Sequence, residues 1–106
     1  MAQPPSPQRQ SVRIPLVVQA EAMNLRTSER VEGTTGNVSR GGCYVLCANP
    51  FPQWTPIRLW LTRGSQVFEA EASVVHAMAG EGMGIVFERI TLRYQSVLDA
   101  WLVGAG

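Results

Sequence analysis

Apolar and polar residues alternate along much of this chain, which is the pattern of β-strands that bury one face and expose the other. The first alternating stretch runs from Val12 to Ala22. Pro15 lies within it and lacks a backbone donor, so this stretch is expected at a sheet edge or a bend. Alternation returns in three later segments: Ile57, Leu59 and Leu61; Phe68, Ala70, Ala72 and Val74; and Met83, Ile85 and Phe87. Several short strands of this kind indicate a β-sandwich or a β-barrel.

The segments between the strands carry turn residues. Residues 27–36 are polar and contain two glycines, so they are predicted to form a turn that leads into a strand over 34–39. A glycine pair at 41–42 precedes a short apolar strand over 43–47. Glycine-containing turns also separate the later strands, which completes an all-β arrangement.

The C-terminal segment differs because its apolar residues recur at helical spacing. These residues are Tyr94, Val97, Leu98, Trp101 and Leu102. Thr91 stands just before them, where a hydroxyl side chain commonly caps a helix. The sequence therefore predicts one helix with a single apolar stripe, which is expected to pack across an open end of the barrel.

The composition fits one small domain. The chain has 106 residues, of which 45% are hydrophobic, and its net charge of +1 argues against a general nucleic-acid or anionic-membrane surface. No apolar run approaches the roughly 20 residues that cross a bilayer, so membrane insertion is not expected. Residues 1–11 lack the blocks of a secretory signal, which favours a cytoplasmic location. Residues 1–8, rich in Pro, Gln and Ser, are expected to form a flexible tail before a domain over 9–106.

Cys43 and Cys47 are the only cysteines. On one extended strand, the intervening residues separate their Cα atoms by about 13 Å. This exceeds the roughly 7 Å that a disulfide allows. Two thiols without further Cys or His partners also make a poor zinc site. We therefore expect two free thiols, which fits a reducing compartment.

Residues suited to catalysis are sparse. His76 is the only histidine, and the carboxylates are scattered along the chain. Neither a P-loop nor a dinucleotide-binding glycine pattern is present. No catalytic residue, metal ligand or cofactor is therefore assigned, and the chain is not predicted to be an enzyme.

One polar stretch has a different character, the segment 37–42 with the sequence NVSRGG, and Arg9 and Arg13 lie upstream of it. Asn37 and Ser39 are two positions apart, so in an extended segment their side chains face the same way. Gly42 follows at a position where a tight turn requires positive φ or a close backbone approach. Together these residues predict a small polar surface beside two guanidinium groups.

The two patterns, Arg-x-x-x-Arg and then Asn-x-Ser-x-x-Gly, are those of the PilZ domain family, which the chain resembles over about residues 8–103. The segment 82–87 also resembles the last strand of that family. The resemblance implies a six-stranded antiparallel β-barrel of split Greek-key type with one C-terminal α-helix. It also implies that the ligand is the bacterial second messenger cyclic di-GMP.

Arg-x-x-x-Arg occurs three times in the chain, so its position has to decide which copy is meant. Arg26 is too close to Asn37 to leave room for the long first strand, and Arg89 follows the second motif. The pair Arg9 and Arg13 is therefore chosen.

The resemblance implies a role for each motif residue. Arg9 and Arg13 would bond in a two-pronged way to O6 and N7 of guanine or to the phosphates, a base pairing worth about 1–3 kcal/mol. Asn37 and Ser39 would bond the remaining guanine edge or a phosphate, and Gly42 would let the backbone turn close by. For Arg40, at a variable motif position, a phosphate contact and a solvated side chain both stay open.

The position of the arginines also suggests a mechanism. The segment 8–13 is hypothesised to be mobile without ligand and to fold over the dinucleotide when it binds. The chain shows no output domain, so its signal is expected to pass to an unidentified partner protein. Motility and biofilm formation are typical outputs of the family, and ligand stoichiometry and oligomeric state stay open.

Two other functions compete with this interpretation. A PilZ-like module that has lost its ligand would serve only protein interactions, but both motifs are present here. A small nucleic-acid-binding barrel would need a basic surface with clustered aromatic residues, and Trp54, Trp60 and Trp101 are far apart in sequence. Neither alternative is favoured.

Overall fold

The computed structural model describes residues 12–105 and contains six strands and one helix. The elements are β1 (Gln19–Asn24), β2 (Arg30–Val38), β3 (Gly42–Leu46), β4 (Pro56–Arg63), β5 (Gln66–Met78), β6 (Gly82–Arg89) and α1 (Leu92–Ala105). All neighbouring strands pair antiparallel and close into a barrel in the order β1-β2-β3-β6-β5-β4. The predicted fold, a six-stranded antiparallel barrel followed by one helix, is confirmed.

The barrel core is built from the alternating positions that the sequence indicated. Every second residue of β4 and of the first part of β5 is buried, whereas the residues between them are more accessible. The inward side chains include Ile57, Leu59, Leu61, Phe68, Ala70, Ala72 and Val74. Burial of one face per strand is what produces a period of two in the sequence.

The first predicted strand is interrupted. β1 begins only at Gln19, and Ile14 forms an isolated bridge to Val38 on the far side of Pro15. Between these points the hydroxyl of buried Thr35 accepts a hydrogen bond from the Val18 N–H at 2.9 Å and donates one to the Leu16 carbonyl at 2.6 Å. A side chain therefore satisfies backbone groups where the regular ladder is broken.

The turn predicted over 27–36 is wrong, because β2 already starts at Arg30 and the turn covers only 25–27. A Cβ at Gly33 would lie 2.2 Å from the Leu46 carbonyl oxygen, so this glycine allows a close approach of β2 to β3. The strand is polar because most of its residues are exposed or half-buried. In this segment, the glycines and polar residues belong to an exposed, closely paired strand and do not form a turn.

Helix α1 has the predicted apolar stripe. Its buried residues Leu98 and Trp101 belong to the same core as the strands, and the helix packs against β5. The Trp101 indole N–H donates to Gln66 Oε1 at 2.9 Å, and the first helical hydrogen bond runs from Gln95 N–H to the Thr91 carbonyl. Within residues 12–105, no helix has the length and apolar character needed to cross a bilayer.

Candidate ligand-binding site

A short backbone bridge brings Arg13 to the second motif. The N–H groups of Ile14 and Val38 donate to each other's carbonyls at 2.8 and 2.9 Å, which fixes the chain beside the end of β2. Arg13 Nη1 then donates to Asn37 Oδ1 at 2.6 Å, across 24 positions of sequence. The structure therefore joins one residue from each predicted motif on the exposed surface of the barrel.

Ser39 occupies the turn between β2 and β3 and is only 1% exposed. Its hydroxyl accepts hydrogen bonds from the N–H groups of Gly41 at 3.2 Å and Gly42 at 3.1 Å, and lies 3.2 Å from the Gly42 carbonyl. The strand ends at Val38, so the alternation that linked Ser39 to the face of Asn37 no longer applies. Of Asn37 and Ser39, only Asn37 contributes its side chain to the accessible surface, and Ser39 stabilises the turn.

Gly42 allows the barrel to close beside this turn. A Cβ at this position would lie 2.0 Å from the Ile85 carbonyl oxygen and 3.3 Å from the Val86 Cα. Its φ does not fall in the left-handed region. The sequence left two reasons for a glycine here, a positive φ or a close backbone approach. The structure shows the close approach, and the backbone approached is that of β6.

Arg40 extends from the same turn toward helix α1. Its Nε lies 3.4 Å from Asp99 Oδ1, and the arginine side chain is 64% exposed. The same carboxylate oxygen accepts a hydrogen bond from Gln95 Nε2 at 3.0 Å. Exposed ion pairs of this kind contribute about 0–1 kcal/mol, so Arg40 is held only weakly in this arrangement.

The two cysteines are free thiols, as expected, and Cys43 lies beneath the site. Burial raises the pKa of Cys43 to about 12, and the nearby Arg13 guanidinium opposes part of this increase. Burial also raises the pKa of Cys47. Both thiols are therefore neutral at physiological pH, and neither neutralises the charge of Arg13.

One arginine of each of the other two Arg-x-x-x-Arg pairs has a contact elsewhere. Arg30 donates to Glu21 Oε2 at 2.6 Å and its guanidinium lies 5.3 Å from the Trp60 ring centre. Arg93 lies 5.4 Å from the ring centre of Tyr94. Arg13 forms no ion pair with the carboxylates of residues 12–105, so its charge is available to an anion. Arg9, and with it most of the segment 8–13, lies outside the described residues.

Tyr44 and His76 lie next to the motif surface, and the sequence analysis did not assign either of them to the site. Strand register places Asn37 opposite Tyr44, Tyr44 opposite Gly84, and Gly84 opposite His76. This row is visible only from the pairing register of β2, β3, β6 and β5, so no local pattern in the sequence indicates it. Across the part of the chain that the structure describes, no three side chains of metal-ligating type form a group.

Comparison with known proteins agrees with this architecture. The sequence profile of the PilZ domain family matches residues 7–104. No curated protein sequence matches the chain. The structure is similar to the PilZ domain of CeSA from a cellulose-synthesizing bacterium, with a TM-score of 0.70 and 23% identity over 89% of this chain and 97% of that one.

Two other solved structures share the fold. The inhibitor of motility MotI/DgrA from Bacillus subtilis has a TM-score of 0.75 and 21% identity, and the match covers 91% of this chain but 50% of that protein. The PilZ domain of YcgR from Escherichia coli, solved with c-di-GMP, has a TM-score of 0.74 and 12% identity over 92% of this chain and 91% of that one. At these identities the likeness shows the fold.

Proposed function

Since this chain belongs to the PilZ domain family, a family of cyclic di-GMP receptors, we propose that it binds cyclic di-GMP as a receptor and catalyses no reaction. The proposed site is the exposed surface formed by Arg13, Asn37 and the turn over 39–42. The ligand itself is the only small molecule required, without a metal or another cofactor.

The Arg13–Asn37 hydrogen bond is the observation that supports this proposal most directly. It uses one of the five N–H donors of the guanidinium and leaves the others to a ligand. A guanidinium matches O6 and N7 of guanine with two parallel hydrogen bonds, and it pairs equally well with a phosphate. Adenine has an amino group in place of O6, so this chemistry favours guanine.

The remaining motif residues have different parts in this proposal. Asn37 orients Arg13 and offers its amide to the ligand, while Ser39 and Gly42 keep the turn in place beneath it. Arg40 exchanges its weak contact with Asp99 for a phosphate. Arg9 completes the pair of guanidinium groups as the segment 8–13 orders over the dinucleotide.

The signal then passes to a partner protein, because ordering of residues 8–13 would change the surface that the domain presents. A receptor for this second messenger acts where the messenger is made, so we place it in the cytoplasm. One structural neighbour is named an inhibitor of motility, which makes motility the first output to examine.

Isothermal titration calorimetry with cyclic di-GMP tests the proposal on the full chain. We expect the wild type to bind and Arg13→Ala to weaken binding by about 5- to 150-fold, the loss of one two-pronged contact worth about 1–3 kcal/mol. Arg63→Ala is the matched control, since it removes the same charge from the exposed end of β4. Cyclic di-AMP should bind far more weakly than cyclic di-GMP.

Absence of heat with cyclic di-GMP at high micromolar concentration would contradict the proposal. The domain would then serve protein interactions alone. Equal losses in Arg13→Ala and Arg63→Ala would also count against it, because the effect would then be one of net charge.

A further inference from the structure

The outer surface of the barrel carries one continuous row of residues that starts at the proposed site. Asn37 on β2, Tyr44 on β3, Gly84 on β6 and His76 on β5 are successive cross-strand partners. Neighbouring strands lie about 4.8 Å apart, so the row extends roughly 14 Å from Asn37. Arg13, bonded to Asn37, lies at its beginning.

All members of this row face outward. The pairs next to it along the strands, Val38 with Cys43 and Cys43 with Ile85, have their side chains buried in the core. Because side chains alternate across a strand, Tyr44 and its partners lie on the opposite, solvent side. Tyr44 is half-buried and His76 is exposed, so both are within reach of a ligand bound at Arg13.

The ring of Tyr44 lies over bare backbone of β6. A Cβ at Gly82 would be 2.9 Å from Tyr44 Cε2, and a Cβ at Gly84 would be 3.8 Å from Tyr44 Cδ1. The ring therefore extends along β6 from one glycine toward the other and is supported by the sheet. A ring held in this way loses little conformational freedom when another group stacks on it.

Gly84 leaves the outer surface of β6 without a side chain between Tyr44 on β3 and His76 on β5. On the side away from Tyr44, a Cβ at Gly84 would lie 3.5 Å from His76 Cβ and 4.0 Å from Val75 Cγ2. The place between Tyr44 and His76 is thus free of any side chain from β6. Asn37 lies on the other side of Tyr44, so the Tyr44 ring stands between Asn37 and Gly84 in the row.

We propose that Tyr44 is the residue on which one guanine base of the ligand stacks, on the outer surface of the barrel with Asn37 on one side of the ring and the bare Gly84 on the other. This inference rests on the proposed function and deepens it. A purine on the Tyr44 ring would lie one strand from Asn37, close enough for its edge to bond Asn37 and the Arg13 guanidinium that donates to it. Stacking thus holds the face of the base while the guanidinium identifies its edge.

Calorimetry with cyclic di-GMP on three variants tests this assignment. Tyr44→Phe keeps a stacking ring, and we expect it to bind within about threefold of the wild type. Tyr44→Leu keeps apolar bulk without a ring, and we expect a loss of about 5- to 150-fold, the range for one base on one aromatic ring. Trp60→Leu, an equivalent change on β4 away from the row, should leave the affinity unchanged.

A second readout is made on the wild-type protein and needs only the conservative variant Tyr44→Phe for assignment. The chain has two tyrosines, so ring signals of Tyr44 and Tyr94 are easily separated by NMR once Tyr44→Phe has assigned them. Saturating cyclic di-GMP should shift the Tyr44 ring protons upfield, as a base stacked above them does. The signals of Tyr94, on helix α1, should stay in place.

The outcomes separate the two proposals. If the wild type does not bind, the proposed function fails and this assignment fails with it. If the wild type binds and Arg13→Ala weakens it, but Tyr44→Leu binds like the wild type or the Tyr44 ring signals do not move, the stacking assignment alone is overturned. If Tyr44→Leu does not fold, the ring signals of the wild type decide.

Discussion

Replacing Gly42 by alanine is expected to destabilise the barrel through one steric contact. The added Cβ would lie 2.0 Å from the Ile85 carbonyl oxygen and 3.1 Å from its carbonyl carbon, both of them backbone atoms. Gly42 and Val86 are the first pair of the β3–β6 ladder, and directly beyond them the Phe87 N–H donates to the Gly41 carbonyl at 2.8 Å, so the strands cannot separate here without breaking hydrogen bonds. No rotamer change relieves the contact.

The expected cost is about 1–3 kcal/mol of unfolding free energy, the usual price of overpacking a close contact. For a domain of this size, each kcal/mol lowers the Tm by roughly 4–8 °C. Gly84→Ala is the matched control on the neighbouring strand, because its Cβ would be 3.5 Å from the nearest atom, an ordinary contact. That variant should keep its stability within about 0.5 kcal/mol of the wild type.

Urea unfolding followed by tryptophan fluorescence, together with thermal unfolding by circular dichroism, measures both variants without any ligand. A Gly42→Ala protein as stable as the wild type would refute the steric argument. Equal losses in the two variants would also refute it, since they would point to a general need for glycine on this surface. In either case the motif glycine would have to be explained through ligand contact instead.

Two further predictions concern side chains around the turn. Ser39→Ala should lower the unfolding free energy by about 1–3 kcal/mol in urea titrations, because the N–H groups of Gly41 and Gly42 lose their acceptor; an unchanged midpoint would mean that water replaces the hydroxyl. The raised pKa of Cys43, about 12 against an ordinary 9.0, means that the unfolded thiol ionises first as pH rises. Stability should therefore fall above pH 9, by up to about 1.4 kcal/mol per pH unit, and this fall should be smaller in Cys43→Val.

Sequence patterns predicted the parts of this fold whose burial alternates regularly. β4, β5 and the apolar stripe of α1 were identifiable because one face of each element enters a single core. β2 was missed over its first half because its residues are mostly polar and exposed, so no alternation is visible. The polar residues in the first half of β2 are there because this part of the strand is exposed, and Gly33 is there because β2 and β3 approach closely.

The candidate site was predictable only in part. The motif residues were identified by resemblance, and the structure brings Arg13 of the first motif to Asn37 of the second. The buried position of Ser39 depends on where β2 ends, and the row through Tyr44 and His76 depends on the register of four strands. Both are consequences of tertiary packing, which a pattern of neighbouring residues does not encode.

Closure of the barrel limits how this domain can communicate. Each of the six strands pairs with a neighbour on both sides, so within residues 12–105 no strand has one whole side left for another chain to pair with. We therefore expect recognition by a second protein to use outward side chains and the segments beside the barrel. Such a surface can diverge in sequence without disturbing the hydrogen-bonded framework, so one fold can bind many different partner proteins.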